Sequence, residues 1–113
     1  MSENKNTDDN ILDRKPISKK EEKIDRPRQW KTLFFNDDFT AFDHVTYALQ
    51  KHYRHTIEEA QSLATEIHTK GQAVVYISNY EVAETKAMLV MQKAKEKGFP
   101  LQVVLMPEPN KDE

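Results

Sequence analysis

Residues 35–42 read FNDDFTAF, and Asn36-Asp37-Asp38 gathers an amide and two carboxylates between aromatic side chains. Acceptor-rich groups of this kind suit a metal, an acid–base pair, or a cation such as a primary ammonium with its three donors and one charge. Asp37 and Asp38 are adjacent, so on an extended chain they point to opposite sides, a poor start for a shared metal. The histidines, His44, His52, His55 and His68, do not fall into HExxH spacing. No cysteine is present, which removes a thiolate nucleophile, a disulfide framework and a Cys-based zinc site. No GxSxG elbow occurs, and two glycines in all cannot build a glycine-rich phosphate cradle. Neither catalysis, nor a metal, nor a cofactor is therefore expected. An ammonium-accepting collar remains, with His68 as a fourth member beside an apolar surface. The bland reading uses the same residues: Asn and Asp after a strand make a turn and a helix cap, and His68 serves a helix C-terminus. On the residues alone, both readings stand.

The elements that must position these groups are marked by punctuation. WKTLFF is rich in strand formers, and Pro27 in DRPRQW favours an extended entry into it. Thr40 with Asp43 matches the capping-box pattern, so a helix is expected from about Ala41, ending near His52 to His55. Phe42, Val45, Leu49 and Tyr53 form its apolar face. Thr56 with Glu59 opens a second helix whose buried stripe is Ile57, Ala60, Leu63, Ala64 and Ile67, and Gly71 stops it. QAVVYIS is a strand. Ser78 with Glu81 repeats the capping pattern before a long helix from Tyr80 to Lys97, stopped at Gly98, and LQVVLM is the last strand.

The order β-α-α-β-α-β predicts a small two-layer α/β (α+β) sandwich, a three-stranded sheet with all three helices on one face. The helix between the second and third strands could be a parallel crossover or an antiparallel return. Spacing does not choose.

Charged residues make up 32% of the 113 residues and hydrophobic ones 37%, unevenly distributed. Residues 1–29 hold few apolar side chains among many charges, too few to offset the entropy of ordering, so a disordered N-terminal arm is expected. The folded domain is assigned to residues 30–107, with a short tail at 108–113. A net charge of -2 argues against nucleic acid. Lys86, Lys93, Lys95 and Lys97 alternate with Glu81, Glu84 and Glu96, which reads as a solvated helix face. No signal-like N-terminus or membrane-spanning apolar run is present, so a cytoplasmic monomer without membrane attachment is expected.

Three separated motifs then come in a fixed order: NDD-F-T at 36–40, His68-x-x-Gly71 at a helix end, and EVAETK at 81–86. From about Trp30 to Leu105 the chain resembles the ClpS adaptor family. That resemblance implies a non-enzymatic adaptor. Such proteins bind destabilising N-terminal residues (Leu, Phe, Tyr, Trp; bacterial N-degrons) and deliver their bearers to the AAA+ unfoldase ClpA, or ClpC, of the Clp protease. It further implies that Asn36, Asp37 and His68 bind the substrate α-amino group. Asp38, Thr40, Phe42, Val45, Ala64, Ile67 and Leu101 would form the pocket for the first side chain. Glu81 and Lys86 would dock on the unfoldase N-terminal domain, though on their own they read as a capping Glu and an exposed lysine. The arm matches the family's N-terminal extension in position only. Two departures stand out: many members carry Pro and Met where this chain has Ala41 and Phe42, and Met where it has Ala64. The expected result is a slot for aromatic and Leu side chains that rejects Ile and Val. The alternative is a stalk-like interaction domain that docks through its third helix and ignores N-termini.

Overall fold

The computed structural model describes residues 28–109. Most of the expected arm (1–29) and tail (108–113) lies outside those residues. Six elements follow in order: β1 (Trp30–Phe35), α1 (Phe42–Tyr53), α2 (Ile57–Lys70), β2 (Gln72–Ser78), α3 (Tyr80–Glu96) and β3 (Gln102–Pro107).

The sheet order is β2-β1-β3, with β1 antiparallel to both neighbours. β2 and β3 therefore run parallel to each other with β1 between them, and α3 is a crossover, which answers what spacing left open. One further rung lies past the strands, where the Glu108 N–H donates to the Gln29 carbonyl at 2.8 Å. The register of β1 on β2 shifts between Thr32 and Leu33, whose partners are Tyr76 and Val74, leaving Val75 as a bulge residue.

Alternation along the strands separates two faces. Phe34, Ala73 and Val103 turn toward the helices and are buried, whereas Val74, Ile77 and Met106 are exposed on the other side. All three helices cover the first face, so the expected two-layer sandwich is what the chain adopts. Phe34, Leu49 and Val90 are fully buried at its centre, and the Phe34 ring meets Tyr53 edge-on at 5.7 Å. α3 presents Ala83, Ala87, Val90 and Ala94 inward at helical spacing, and side chains this small bring its backbone close to the layer beneath.

Several local details differ from the sequence expectation. Thr40 and Asp43 do not cap α1: the N-cap is Ala41, which offers no side-chain cap, and the Thr40 hydroxyl is drawn to Asp37 instead. Nor does Ser78 cap α3. Ser78 is still the last residue of β2, and Asn79 takes the position, its Oδ1 accepting from the Val82 N–H at 2.9 Å. Phe42 and Ile57 open their helices but are 46% and 45% exposed, because each first turn projects past the buried stripe. The α2 cap is as expected. Thr56 and Glu59 form a reciprocal capping box, and Gly71 ends the helix at φ +90, a left-handed position that glycine adopts without strain.

Candidate functional site

β1 delivers its last residue directly into the polar run. The Asn36 N–H donates to the Gly71 carbonyl at 2.9 Å, pinning the strand end to the C-cap of α2. Since His68 lies in the last turn of α2, this one backbone bond draws the Asn36 loop and the His68 helix end together. Gly71, a helix stop in the sequence and the end of the His68-x-x-Gly71 motif, is thus also part of the site's frame.

Asp37 folds the loop. Its Oδ1 accepts from the backbone N–H groups of Phe39 at 2.8 Å and Thr40 at 2.7 Å, and its Oδ2 accepts from the Thr40 hydroxyl at 2.6 Å. Partial burial works to raise its carboxyl pKa, but the bonds from the Thr40 hydroxyl and the two N–H groups outweigh it and hold the group below the ordinary carboxylate value. The carboxylate is therefore ionised and fixed in direction, with lone pairs beyond the three bonds it accepts. Both bland and functional readings of Asp37 meet here: it makes the turn, and it carries the charge.

Asn36, Asp38 and His68 differ from Asp37 in being exposed, with side chains that form no hydrogen bond among the described residues. Val45, Ala64, Ile67 and Leu101 are buried members of the core cluster, contributed by α1, α2 and the residue before β3. Thr40 is half-buried at the loop's end. Phe42 stands exposed at the start of α1, and Phe39, not singled out from sequence, is 75% exposed within the loop itself. The polar loop with its exposed ring and the His68 helix end are therefore joined in one place, through the Asn36–Gly71 bond. Such a site can present negative charge and hydrogen-bond acceptors to a cation.

The two residues assigned to partner docking part company. Glu81 is exposed in the first turn of α3 and does not cap it, since Asn79 does. Lys86 is not an ordinary exposed lysine. Its Nζ donates to the His52 carbonyl at 2.6 Å, near the C-terminus of α1, and sits 5.8 Å from the Tyr53 ring centroid and 5.6 Å from that of Tyr76. Half-buried there, it ties α3 to α1. Beneath it burial, and then the neighbouring Tyr76, push the Tyr53 phenol well above its ordinary value.

Sequence reasoning also missed His55. In the turn between α1 and α2 its Nε2 lies 2.7 Å from the carbonyl of Val75, the bulge residue, and its Nδ1 lies 3.3 Å from Glu59 Oε1. A carbonyl only accepts, so Nε2 carries the proton and donates. No local pattern announces a contact between a turn and a strand that far apart in the chain.

Among the described residues, no cluster of three or more His, Cys, Asp or Glu side chains could hold a metal ion, and no helix is long and apolar enough to cross a membrane. A three-stranded sheet with a crossover helix, covered on one face and ending in a polar loop pinned to a helix cap, defines a class: the small two-layer α/β domain. Within that class the chain belongs to the ClpS family, whose model, described as ATP-dependent Clp protease adaptor protein ClpS, matches residues 25–104. Among curated proteins, the adapter ClpS of Deinococcus radiodurans is 41% identical over 83 residues, covering 74% of this chain and 74% of that protein. The adapter ClpS of Acetivibrio thermocellus is 35% identical over 99 residues, covering 86% of this chain and 100% of that protein. Among solved structures, Agrobacterium tumefaciens ClpS2 bound to L-phenylalaninamide superposes with a TM-score of 0.71 at 35% identity, covering 74% of this chain and 100% of that one. The chain is thus an adaptor of the Clp protease by family.

Proposed function

We propose that this adaptor binds destabilising N-terminal residues, Leu, Phe, Tyr and Trp, and hands their bearers to the AAA+ unfoldase ClpA or ClpC, acting as a cytoplasmic monomer without catalysis. The observation that carries the reading is the bond from the Asn36 N–H to the Gly71 carbonyl, which brings the Asn36–Thr40 loop and the His68 helix end into one frame. Phenylalaninamide, bound by the Agrobacterium relative, has the chemistry such a frame suits: a free α-ammonium beside an aromatic side chain. In this reading Asn36 and His68 take the ammonium's hydrogens and Asp37 supplies the charge. Asp38 and Thr40 shape the wall. Val45, Ala64, Ile67 and Leu101 line the floor, and Phe42 flanks the entrance.

The collar discriminates by what it leaves unpaired. An acetylated terminus offers one donor and no charge, so acceptors lose partners at about 1–3 kcal/mol each. Phe42 and Ala64 set the shape of the slot, a flat ring at the mouth and spare volume beneath, which favours aromatic and Leu side chains over β-branched ones. Fluorescence anisotropy with peptides differing only in residue one tests both points. Phe, Leu, Tyr and Trp are expected to bind while Ile, Val and acetylated Phe do not. Equal affinity for the acetylated peptide would replace this reading with the interaction domain that ignores N-termini. Equal affinity for Ile and Leu would remove only the specificity assigned to Phe42 and Ala64.

Docking on the unfoldase is assigned to the exposed face of α3 around Glu81. Lys86 contributes there by holding α3 against α1, so its substitution is expected to lower stability together with affinity for the unfoldase.

A further inference from the structure

Along the seam between α1 and α3 lie two adjoining concavities, neither lined by Asn36, Asp37 or His68. One of about 450 Å³ includes His44, Lys97 and Phe99; the other, of about 300 Å³, includes Lys51, His52 and Leu89. Tyr47 and Lys93 border both, which makes the two a single groove.

The groove lining combines apolar and aromatic side chains with an excess of lysines over acids. Tyr47 is 41% exposed and Leu89 49%, and the His44 ring packs 5.1 Å from Phe99 and 6.2 Å from Tyr47. Lys51, Lys93 and Lys97 face two acids, Asp43 and Glu96, and Glu96 is paired with Lys93 at 3.9 Å. His44 is buried, and its Nε2 has no hydrogen-bond partner. Burial, and then Lys97, His52 and Lys93, hold His44 below the ordinary histidine value. Burial, and then Lys51, Lys86 and Lys93, do the same for His52. A ligand that fits brings carboxylates for the lysines and aliphatic side chains for Tyr47, Leu89 and Phe99.

Residues 21–25, EEKID, set three acids around a lone Ile24 but carry Lys23 among them, whereas a segment nearer the start has three acids, two adjacent aliphatic side chains and no cation. Residues 7–13, outside the described part, read TDDNILD, with Asp8, Asp9 and Asp13 around Ile11 and Leu12. The next stretch, RKPISKK at 14–20, has four cations and no acid, and a positive groove repels it. The chain between Asp13 and Arg28 spans up to about 50 Å at ~3.3 Å per residue. A folded unit of this size has a radius of gyration of about 12 Å, so the segment reaches any side of it. Tethering also holds it at a high effective concentration, so weak contacts suffice.

We propose that residues 7–13 dock on their own domain, in the α1–α3 groove, with Asp8, Asp9 and Asp13 toward Lys51, Lys93 and Lys97 and with Ile11 and Leu12 against Tyr47, Leu89 and Phe99. This is an occupant of the adaptor's own making. It does not depend on how N-terminal residues are recognised.

Because the chain has no cysteine, the full-length Asn4→Cys variant takes a single nitroxide label just ahead of the segment. Amide signals are then recorded with the label active and reduced. The expected result is loss of intensity at Tyr47, Leu89 and Lys93, with Val74 and Ile77 on the open sheet face spared. The triple change D8K/D9K/D13K, which leaves every described residue untouched, is expected to abolish that loss, as is K93E/K97E. Raising ionic strength from about 0.1 to 1 M shortens the screening length from ~10 to ~3 Å and is expected to weaken it. Three results would overturn the proposal: attenuation spread evenly over the domain, attenuation centred on Val74 and Ile77, or attenuation that appears only between mixed labelled and unlabelled chains. The last would mean that the segment binds a second copy.

Discussion

Two short polar connections in this molecule use their side chains in opposite ways. The turn at Arg54–Thr56 spends its side chains inwardly. His55 donates to Val75, Thr56 and Glu59 cap each other, and Arg54 takes the left-handed position at φ 62. The loop at Asn36–Thr40 spends only Asp37 and Thr40 inwardly, leaving Asn36, Asp38 and Phe39 exposed. The first is a joint. The second is a rigid frame that holds unpaired groups outward, which is what a binding site requires.

The most disruptive change is expected at Asp37, where frame and charge coincide. D37A removes three accepted hydrogen bonds and is expected to abolish binding of a Phe-initiated peptide and also to cost about 1–3 kcal/mol in urea unfolding. Lost binding with full stability would mean that the loop keeps its shape without the carboxylate.

A crossed pair of histidine variants sharpens the contrast. H68A is expected to weaken peptide binding by roughly tenfold or more, the equivalent of ~1.4 kcal/mol or above, while stability stays within about 0.5 kcal/mol. H55A should do the reverse, leaving Val75's carbonyl without its partner at about 1–3 kcal/mol while peptide affinity is unchanged. If the two variants behave alike, the division between joint and collar fails.

The smallest effect is in pH dependence, and it falls in two windows. His44 and His52 have folded values below the ordinary 6.5, so the unfolded chain takes up protons first as pH falls. Stability from these two groups is present above 6.5 and declines as pH drops through that value toward their lower folded values. Asp37 has its folded value below the ordinary 3.8, so its stabilisation is present above 3.8 and is lost as pH falls through the folded value. Urea unfolding across pH is expected to show a shallower slope just below pH 6.5 in H44Q and an altered slope only below about 3.8 in D37N.

Those contrasts also mark what local sequence can and cannot carry. The Thr56–Glu59 box, the Gly71 stop and the spans of β1 and β2 are written in neighbouring residues, because they depend on backbone geometry within one turn or on the two-residue pleat. The motifs at 36–40, 68–71 and 81–86 led to the family in the same way. What local pattern missed was competition and distance. Asp37 outbids the helix for Thr40, and Asn79 outranks Ser78 by sitting one residue nearer the helix. Phe42 and Ile57 fit an apolar stripe on a helical wheel, yet stand exposed because a wheel does not know where its neighbour ends. Likewise Lys86 reads as a surface charge until α1 arrives to accept its hydrogen bond.

The strand order has a consequence for how the molecule comes into being. Among the described elements β1 comes first in the chain yet lies in the middle of the sheet, and its second partner, β3, comes last. Non-local pairing of this kind must close a long loop before it is rewarded, and it slows folding. A nascent chain can therefore pair β1 with β2 and anchor Asn36 on Gly71 early, yet it leaves the other edge of β1 bare until Gln102–Pro107 has left the ribosome, an unpaired strand edge of the kind that invites wrong partners.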